Sequence, residues 1–530
     1  MPVEVNGLRM ESGTNARLAL LGALGGTTLA LAAAAWAGRF WLGQITRKTV
    51  RNLLTDPYAE NLLELLSATR RTSLQTILEN SLRAETGQVI KRPLGSPKHY
   101  PGLDHLIFDF AQLHRLPTPE DTPVDLSVTL GPTAARPLHL QIPLIVAGMG
   151  YGVALSAQAR IAIARGAAWA GTASNTGEGA WLPAERREAH HLILQYNRGS
   201  WAKDPAILEQ ADMIEIQLGQ GALGGLGHKI PAHLLDDRLR QAFRLPPGES
   251  LISHARQPGV HSPADLQTLV NHLREMTAGI PIGVKLAAGH HLEQDLDWAL
   301  AAGVDVIAID GGQAATKGGP PIVEDDFGLP TLYALCRAAR HLGKVRRSGN
   351  GNSVPALSSP SLIVGGGLAT PGEYLKCLAL GADAVYLGSQ PLFALTHTQL
   401  LKAVPFEPPT QVVFAAGRFH QQLDVNQAAR NLANFLTSSA LEMAEGVRAL
   451  GKHSLRELGT EDLCALDPLT AAITGVDLAY KPSHDHMPRP AATRRQTPNQ
   501  TGTHPRWQHR PIPVASVSTH PSPPTQRWSS

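Results

Sequence analysis

From residue 143 onward the chain repeats one pattern. A short apolar run gives way to a glycine-rich or polar turn, and a longer stretch follows with apolar residues every three or four positions. Unbroken apolar runs of this kind suit strands buried on both faces, and the longer stretches suit amphipathic helices. The pattern predicts eight strands at 143–147, 171–173, 192–196, 213–217, 283–287, 304–309, 362–364 and 384–387. It predicts helices between them at 156–168, 264–276, 292–301 and 329–339. Eight parallel strands joined by right-handed helical crossovers make an α/β fold, a (β/α)8 TIM barrel with its site at the strand C-termini. A doubly wound open sheet is the alternative, but no GxGxxG opens a first βαβ unit.

The stretch 361–392 organises the rest. Its first strand ends in Gly365, Gly366 and Gly367, and its second is followed directly by Gly388 and Ser389. Between them Thr370 caps a helix, Pro371 needs no amide donor in the first turn, and Glu373 suits the positive end. Paired glycine turns after consecutive strands expose backbone amides and suit a mononucleotide phosphate, where barrels often hold one after strands seven and eight. Two ordinary glycine turns are the other reading. Further unusual residues fall at predicted strand ends: 148–152 (GMGYG), 174–179 (SNTGEG), Gln220-Gly221, Lys285 within the fifth strand, and Asp310-Gly311-Gly312.

Outside the barrel, residues 18–38 carry no charge and are close to the length of ~20 residues that a membrane-spanning helix needs. Arg39, Arg47, Lys48 and Arg51 follow, against Arg9 and Arg17 before, which keeps the body of the protein on the cytoplasmic side. A cleaved signal peptide or a buried helix is the alternative, and Ala35-Trp36-Ala37 has the look of a cleavage site. A further helix is predicted over 53–82, and the segment to 141 reads as irregular with short β runs. The expected domains are a flank (1–17), a single-pass transmembrane helix (18–43), a helical linker and pre-barrel segment (44–141), the barrel (142–400), a helical extension (401–480) and a disordered Pro/Ser/Thr/His-rich tail (481–530).

Composition narrows the partners. A net charge of +3 over 530 residues gives no reason to expect nucleic acid. The 22 histidines show no metal-ligand spacing, and Cys336, Cys377 and Cys464 are too far apart for a cluster or a disulfide framework. No metal site is therefore expected.

SNTGEG at 174–179, IEIQLGQGA at 214–222, DGG at 310–312 and GADAVYLG at 381–388 together resemble the FMN-binding synthase domain of glutamate synthase, over about 92–480. The chain is most similar in plan to the single-domain, membrane-anchored members of that family. In the family, reduced FMN passes hydride to 2-iminoglutarate, formed from 2-oxoglutarate and ammonia. The resemblance implies FMN contacts from Gly148, Met149, Asn175, Gln220, Lys285, Asp310, Gly311 and Gly312, with the phosphate at Gly366, Gly367, Gly388 and Ser389. Lys285, and Glu178 in the glycine loop beside the site, are the catalytic candidates. An ammonium at Lys285 would stabilise an anionic reduced ring, or the lysine is a structural partner of Asp310 or Glu215. Glu178 is a general acid or base, or a loop carboxylate holding backbone amides.

The departures are specific. Where the family reads roughly IQIKLAQGAKPGEGG, this chain has Gln217, Leu223 and Leu226 in place of two lysines and a glutamate, which removes cationic partners for a dicarboxylate. Lys317 enters the loop after Asp310, and Arg256 is a second candidate replacement cation. The cysteine-rich segment after the last strand is absent, so no iron–sulfur cluster is expected and the electron donor is not identified. Two functions follow: a glutamate-synthase-like oxidoreductase acting on a 2-oxo acid and ammonia or a related amino or imino substrate, and a catalytically degenerate, membrane-tethered FMN-binding or scaffold barrel. Another phosphate-binding barrel of the IMP dehydrogenase or isopentenyl isomerase kind is a weaker third.

Overall fold

The computed structural model describes residues 36–61, 63–315, 319–343 and 359–482. Eight parallel strands close a barrel in chain order: β1 (Leu144–Val146), β2 (Ala173–Asn175), β3 (His191–Tyr196), β4 (Met213–Gln217), β5 (Ile282–Ala287), β6 (Val306–Asp310), β7 (Ser361–Gly365) and β8 (Ala384–Leu387). The last strand pairs back to the first, with Tyr386 opposite Ile145. The crossover helices are α1 (Ala157–Trp169), α2 (Pro183–Glu188), α3 (Pro205–Leu208), α4 (Pro263–Met276), α5 (Leu292–Ala301), α6 (Thr331–His341), α7 (Pro371–Ala379) and α8 (Ser389–Thr396). A long helix, α9 (Val425–Ala449), packs on α1.

Successive strand residues face opposite sides, and the two sides have different chemistry. Outward residues such as Val146, Ile214, Ile216, Val284, Ile309 and Val364 join the large core under the helices. Inward residues near the strand starts, among them Ile145, Ile193, Met213, Val306 and Ile363, form a second core with Leu130, Leu138 and Leu140. Those leucines belong to a hairpin, Val128–Leu130 with Leu138–Leu140, that plugs the N-terminal end of the barrel. The pre-barrel segment read as irregular therefore has this defined role. Towards the C-terminal end the inward positions turn polar: Asn175, Gln195, Glu215, Lys285, Asp310 and Tyr386.

Local signals explain the element ends. Thr370 accepts from the Glu373 amide and the Glu373 carboxylate accepts from the Thr370 amide, a capping box with Pro371 in the first turn of α7. Such a cap stabilises a helix by about 1 kcal/mol. The second strand departs from the expected 171–173. Gly171 sits at φ +71 and closes the turn after α1, so extended backbone begins later and places Asn175 on β2.

The helix expected over 53–82 is broken. One helix ends before Pro57, a second is Leu63–Arg71, and a third, Leu74–Thr86, is capped by Ser73. Pro57 cannot continue a helix, and Ser73 competes for the backbone as a cap. Of the two roles its periodicity suggests, packing on the barrel or linking it to the membrane, the exposed stripe Leu74, Leu78 and Leu82 does not fill the first. Cys464 lies on a strand, Leu463–Ala465. Among the described residues, no helix is long and apolar enough to cross a membrane. Most of the expected transmembrane helix (18–35), Lys317, and the expected disordered tail from 483 lie outside the described residues.

Candidate active site at the C-terminal mouth of the barrel

Neighbouring strands β7 and β8 bring the two glycine turns together. Gly366 and Gly367 adopt φ +128 and +69, backbone that favours glycine. A Cβ on Gly366 would lie 2.5 Å from Thr331 Oγ1, the atom that donates to the Gly366 carbonyl at 2.9 Å. Across from them Gly388 opens α8, and a Cβ there would meet nothing within 4 Å. The first-turn amides of α8, Ser389 and Gln390, have no acceptor within the helix and lie at its positive end. This is a donor-rich concavity suited to an anion.

A cavity of about 1020 Å³ opens beside it. Its wall holds Gly148, Met149, Glu178, Gln220, Lys285, Asp310, Gly366, Gly367, Gly388 and Ser389. Asn175, Gly311 and Gly312 are not in that wall. The Asn175 side chain points into the barrel, where Nδ2 donates to Glu215 Oε1 at 2.8 Å and to the Tyr386 hydroxyl at 3.1 Å. The Gly311 amide donates to Gly365 O at 2.9 Å and the Gly312 amide to Leu329 O at 2.7 Å, so both serve the loop itself. Asp310 stands on β6 rather than after it.

Lys285 is buried at the cavity floor with Nζ 3.2 Å from Asp310 Oδ2 and 4.8 Å from the Tyr386 ring centre. Burial disfavours its charge most strongly, yet Asp310 and Glu215 together outweigh burial and hold its pKa above the ordinary lysine value. Beneath it the fully buried Glu215 accepts from Tyr386 at 2.6 Å and from Gln195 and Asn175 at 2.8 Å each. Burial and the Glu215 charge raise the Tyr386 phenol well above its usual value, which keeps it a donor. The Asp310 carboxylate also accepts from the Gly221 amide at 3.1 Å and so ties the β4 loop to β6.

On another part of the wall, Glu178 accepts from the Ser253 hydroxyl and from Gln217 Nε2, the latter at 3.2 Å; the same Gln217 nitrogen donates to Gln220 Oε1 at 3.1 Å. Ser253 comes from a hairpin, His228–Ile230 with Leu251–Ser253, inserted between β4 and α4. His228 faces the cavity; burial lowers its pKa most, with the Glu178 charge opposing. Sequence reasoning missed Gln195, Tyr386, Ser253 and His228. The strand residues had a signal: polar side chains at inward, period-two positions in the C-terminal halves of otherwise apolar strands. The hairpin residues had none, because their placement depends on a tertiary fold-back.

Residues 103–453 match the family model described as a conserved region in glutamate synthase. The chain belongs to the glutamate synthase family. It is 33% identical over 426 residues to the glutamate synthase large subunit-like protein of Rhizobium meliloti (strain 1021), covering 76% of this chain and 93% of that one. It is 30% identical over 404 residues to the archaeal glutamate synthase [NADPH] of Archaeoglobus fulgidus, covering 71% and 76% respectively. Among solved structures, an (S)-mandelate dehydrogenase chimera aligns at 13% identity and a TM-score of 0.44, over 70% of this chain and 93% of that chain.

Against the family pattern, the three replaced positions have separate fates. Leu223 is buried and lines the cavity. Gln217 is buried behind the wall on Glu178 and Gln220. Leu226 is 45% exposed and outside the wall, so its exchange does not alter the cavity. Arg256 is exposed and also outside it.

Proposed function

We propose that the protein is an FMN-dependent oxidoreductase of glutamate-synthase type, acting at a carbon–nitrogen bond of a 2-oxo acid with ammonia or of a related amino or imino substrate. The observation that carries this reading is one cavity holding both the glycine nest of β7 and β8 and the buried ammonium of Lys285. The donor set fits a mononucleotide flavin: free space beside Gly388, first-turn amides at α8, and a volume at the upper end for cofactor-sized pockets. Bound FMN supplies hydride transfer. The chain supplies the rest. Gly366, Gly367, Gly388 and Ser389 hold the phosphate, Lys285 offers positive charge at the ring, and Glu178 holds or moves a proton near the substrate. A separate electron donor would reduce the flavin.

The absorption spectrum of the purified protein tests this. A flavin band near one per chain is expected, and apoprotein that cannot be reconstituted with FMN would sink the reading. The scaffold alternative draws on one observation, the neutral Gln217 and Leu223 at family lysine positions.

We also propose a single-pass membrane anchor with the barrel on the cytoplasmic side. The helix that begins the described chain supports it, exposing Trp36, Phe40 and Trp41 beside Arg39, Arg47, Lys48 and Arg51, the aromatic and basic flank of a membrane interface.

A further inference from the structure

The charges around the cavity name a substrate class, which deepens the function proposed above and rests on the same site. Glu178 is only 8% exposed, lines the cavity, and has two neutral direct partners, the Ser253 hydroxyl and the Gln217 amide. Arg198 lies near enough for its charge to be felt at Glu178, but its guanidinium donates to the carbonyls of Gly225 and Leu226 at 2.8 and 2.9 Å. Lys285 is matched by Asp310, and Glu215 below is held by neutral donors alone. Among the described residues, three buried carboxylates, Glu178, Asp310 and Glu215, thus stand against two buried cations, Lys285 and Arg198. Burial pushes the His228 imidazole below its ordinary value, against the opposing Glu178 charge. A buried charge in excess is unfavourable unless a ligand compensates it.

The neighbouring wall is apolar, with Leu223, Val153, Ala154 and Ile230. We propose that the cavity takes a protonated amine or iminium on an apolar body, with its nitrogen received by the Glu178 carboxylate, in preference to a dicarboxylate. Lys91 and Lys229, both exposed at the rim, carry the opposite sign. Their attraction acts through water, where a charge pair is roughly fourfold weaker than at the effective dielectric of about 20 that suits a protein site. The buried carboxylate therefore decides.

The test is calorimetric titration of the holoprotein with n-hexylamine, hexanoate and 2-oxoglutarate, repeated on Glu178→Gln. Hexylamine is expected to bind at least tenfold tighter than either acid, and Glu178→Gln to lose at least tenfold of that affinity. If the Gln variant melts early, Glu178→Asp replaces it and should stay within about threefold of wild type, because it keeps the charge. Tighter binding of 2-oxoglutarate, no binding of hexylamine, or equal binding by Glu178→Gln overturns the proposal. Flavin absorbance of the same samples is read separately. Flavin-free protein that binds hexylamine through Glu178 defeats the FMN reading alone, whereas flavin-replete protein that prefers 2-oxoglutarate defeats this one alone.

Discussion

Lys285 Nζ lies 3.2 Å from Asp310 Oδ2 at the cavity floor, both side chains under one-tenth exposed, so the ammonium meets a carboxylate even before any ligand. The structural role of Lys285 is therefore in place, and the proposed flavin role would be added to it. Lys285→Met would leave Asp310 without its direct counter-charge, and breaking a buried pair in this way typically costs about 3–5 kcal/mol. The expected result is a lower denaturation midpoint together with a more negative flavin potential. Because the folded-state pKa of Lys285 is raised, its stabilisation is full below the unfolded value of about 10.4 and is lost only as pH climbs through the higher folded value. The variant lacks that alkaline loss, so above about pH 10 its stability should fall less steeply than that of the unmodified protein. Unchanged stability together with an unchanged potential would remove Lys285 from the site.

Glu324 gives a second pH prediction. It is fully buried beside Arg92, 3.7 Å away, and burial pushes its carboxyl up to about 7. The folded state then binds this proton more tightly than the unfolded chain. Its contribution is favourable below the unfolded value of about 4.3 and is lost as pH rises to 7, amounting to about 4 kcal/mol. Glu324→Gln should flatten the stability profile across that window and raise stability at pH 8. Denaturant titrations at pH 5 and pH 8 check it; equal pH slopes in both proteins would contradict it.

These groups show what the sequence made legible. The barrel was readable because most strands are short, largely apolar runs and glycine turns follow their C-terminal ends. The neighbouring glycine turns were readable because Gly366 and Gly388 follow consecutive strands, and the α7 cap because Thr370, Pro371 and Glu373 act within one turn. The second strand shifted because periodicity does not report that Gly171 takes a left-handed φ. The hydrogen bond of Tyr386 to Glu215 was hidden because the two come from strands far apart in sequence, and only barrel closure makes them neighbours. Leu226 was misjudged because alignment of a motif does not show which side chains turn to solvent.

Location is tested by fractionation. The full-length protein is expected in the membrane pellet and a chain beginning at Arg51 in the supernatant. If the pellet retains the shortened chain, the exposed leucine stripe of Leu74, Leu78 and Leu82 is a second membrane contact. Protease that reaches the C-terminal tail from outside sealed cells would contradict the cytoplasmic orientation.

Gly388→Ala separates ligand binding from folding. An added Cβ there meets no protein atom within 4 Å, so thermal stability of the apoprotein should stay within about 0.5 kcal/mol. A phosphate close to that backbone would meet the methyl group, and FMN affinity should fall about tenfold or more. Gly366→Ala, blocked by Thr331 at 2.5 Å, should destabilise the apoprotein as well. FMN titration by fluorescence quenching with parallel melts reads both effects; unaltered affinity in Gly388→Ala would move the phosphate elsewhere.

The last prediction concerns the dicarboxylate. The family pattern has lysine where this chain has Gln217 and Leu223, and the structure makes these two positions unequal. Leu223 lines the cavity, whereas Gln217 is buried behind it with its amide nitrogen on Glu178 and Gln220. A lysine at 223 should reach solvent through the cavity and offer a carboxylate-binding charge. A lysine at 217 should pair with Glu178 instead, neutralising the excess carboxylate without presenting free charge. We therefore expect weak or undetectable turnover of 2-oxoglutarate with ammonia and reduced flavin in the unmodified protein. Leu223→Lys alone should tighten 2-oxoglutarate binding about tenfold, or about 1.4 kcal/mol. Gln217→Lys alone should chiefly weaken amine binding, and the double variant should show both changes. Calorimetric titration of the three variants with 2-oxoglutarate and n-hexylamine measures them. Efficient glutamate formation by the unmodified protein would instead mean that the neutral wall at Leu223 does not exclude a dicarboxylate.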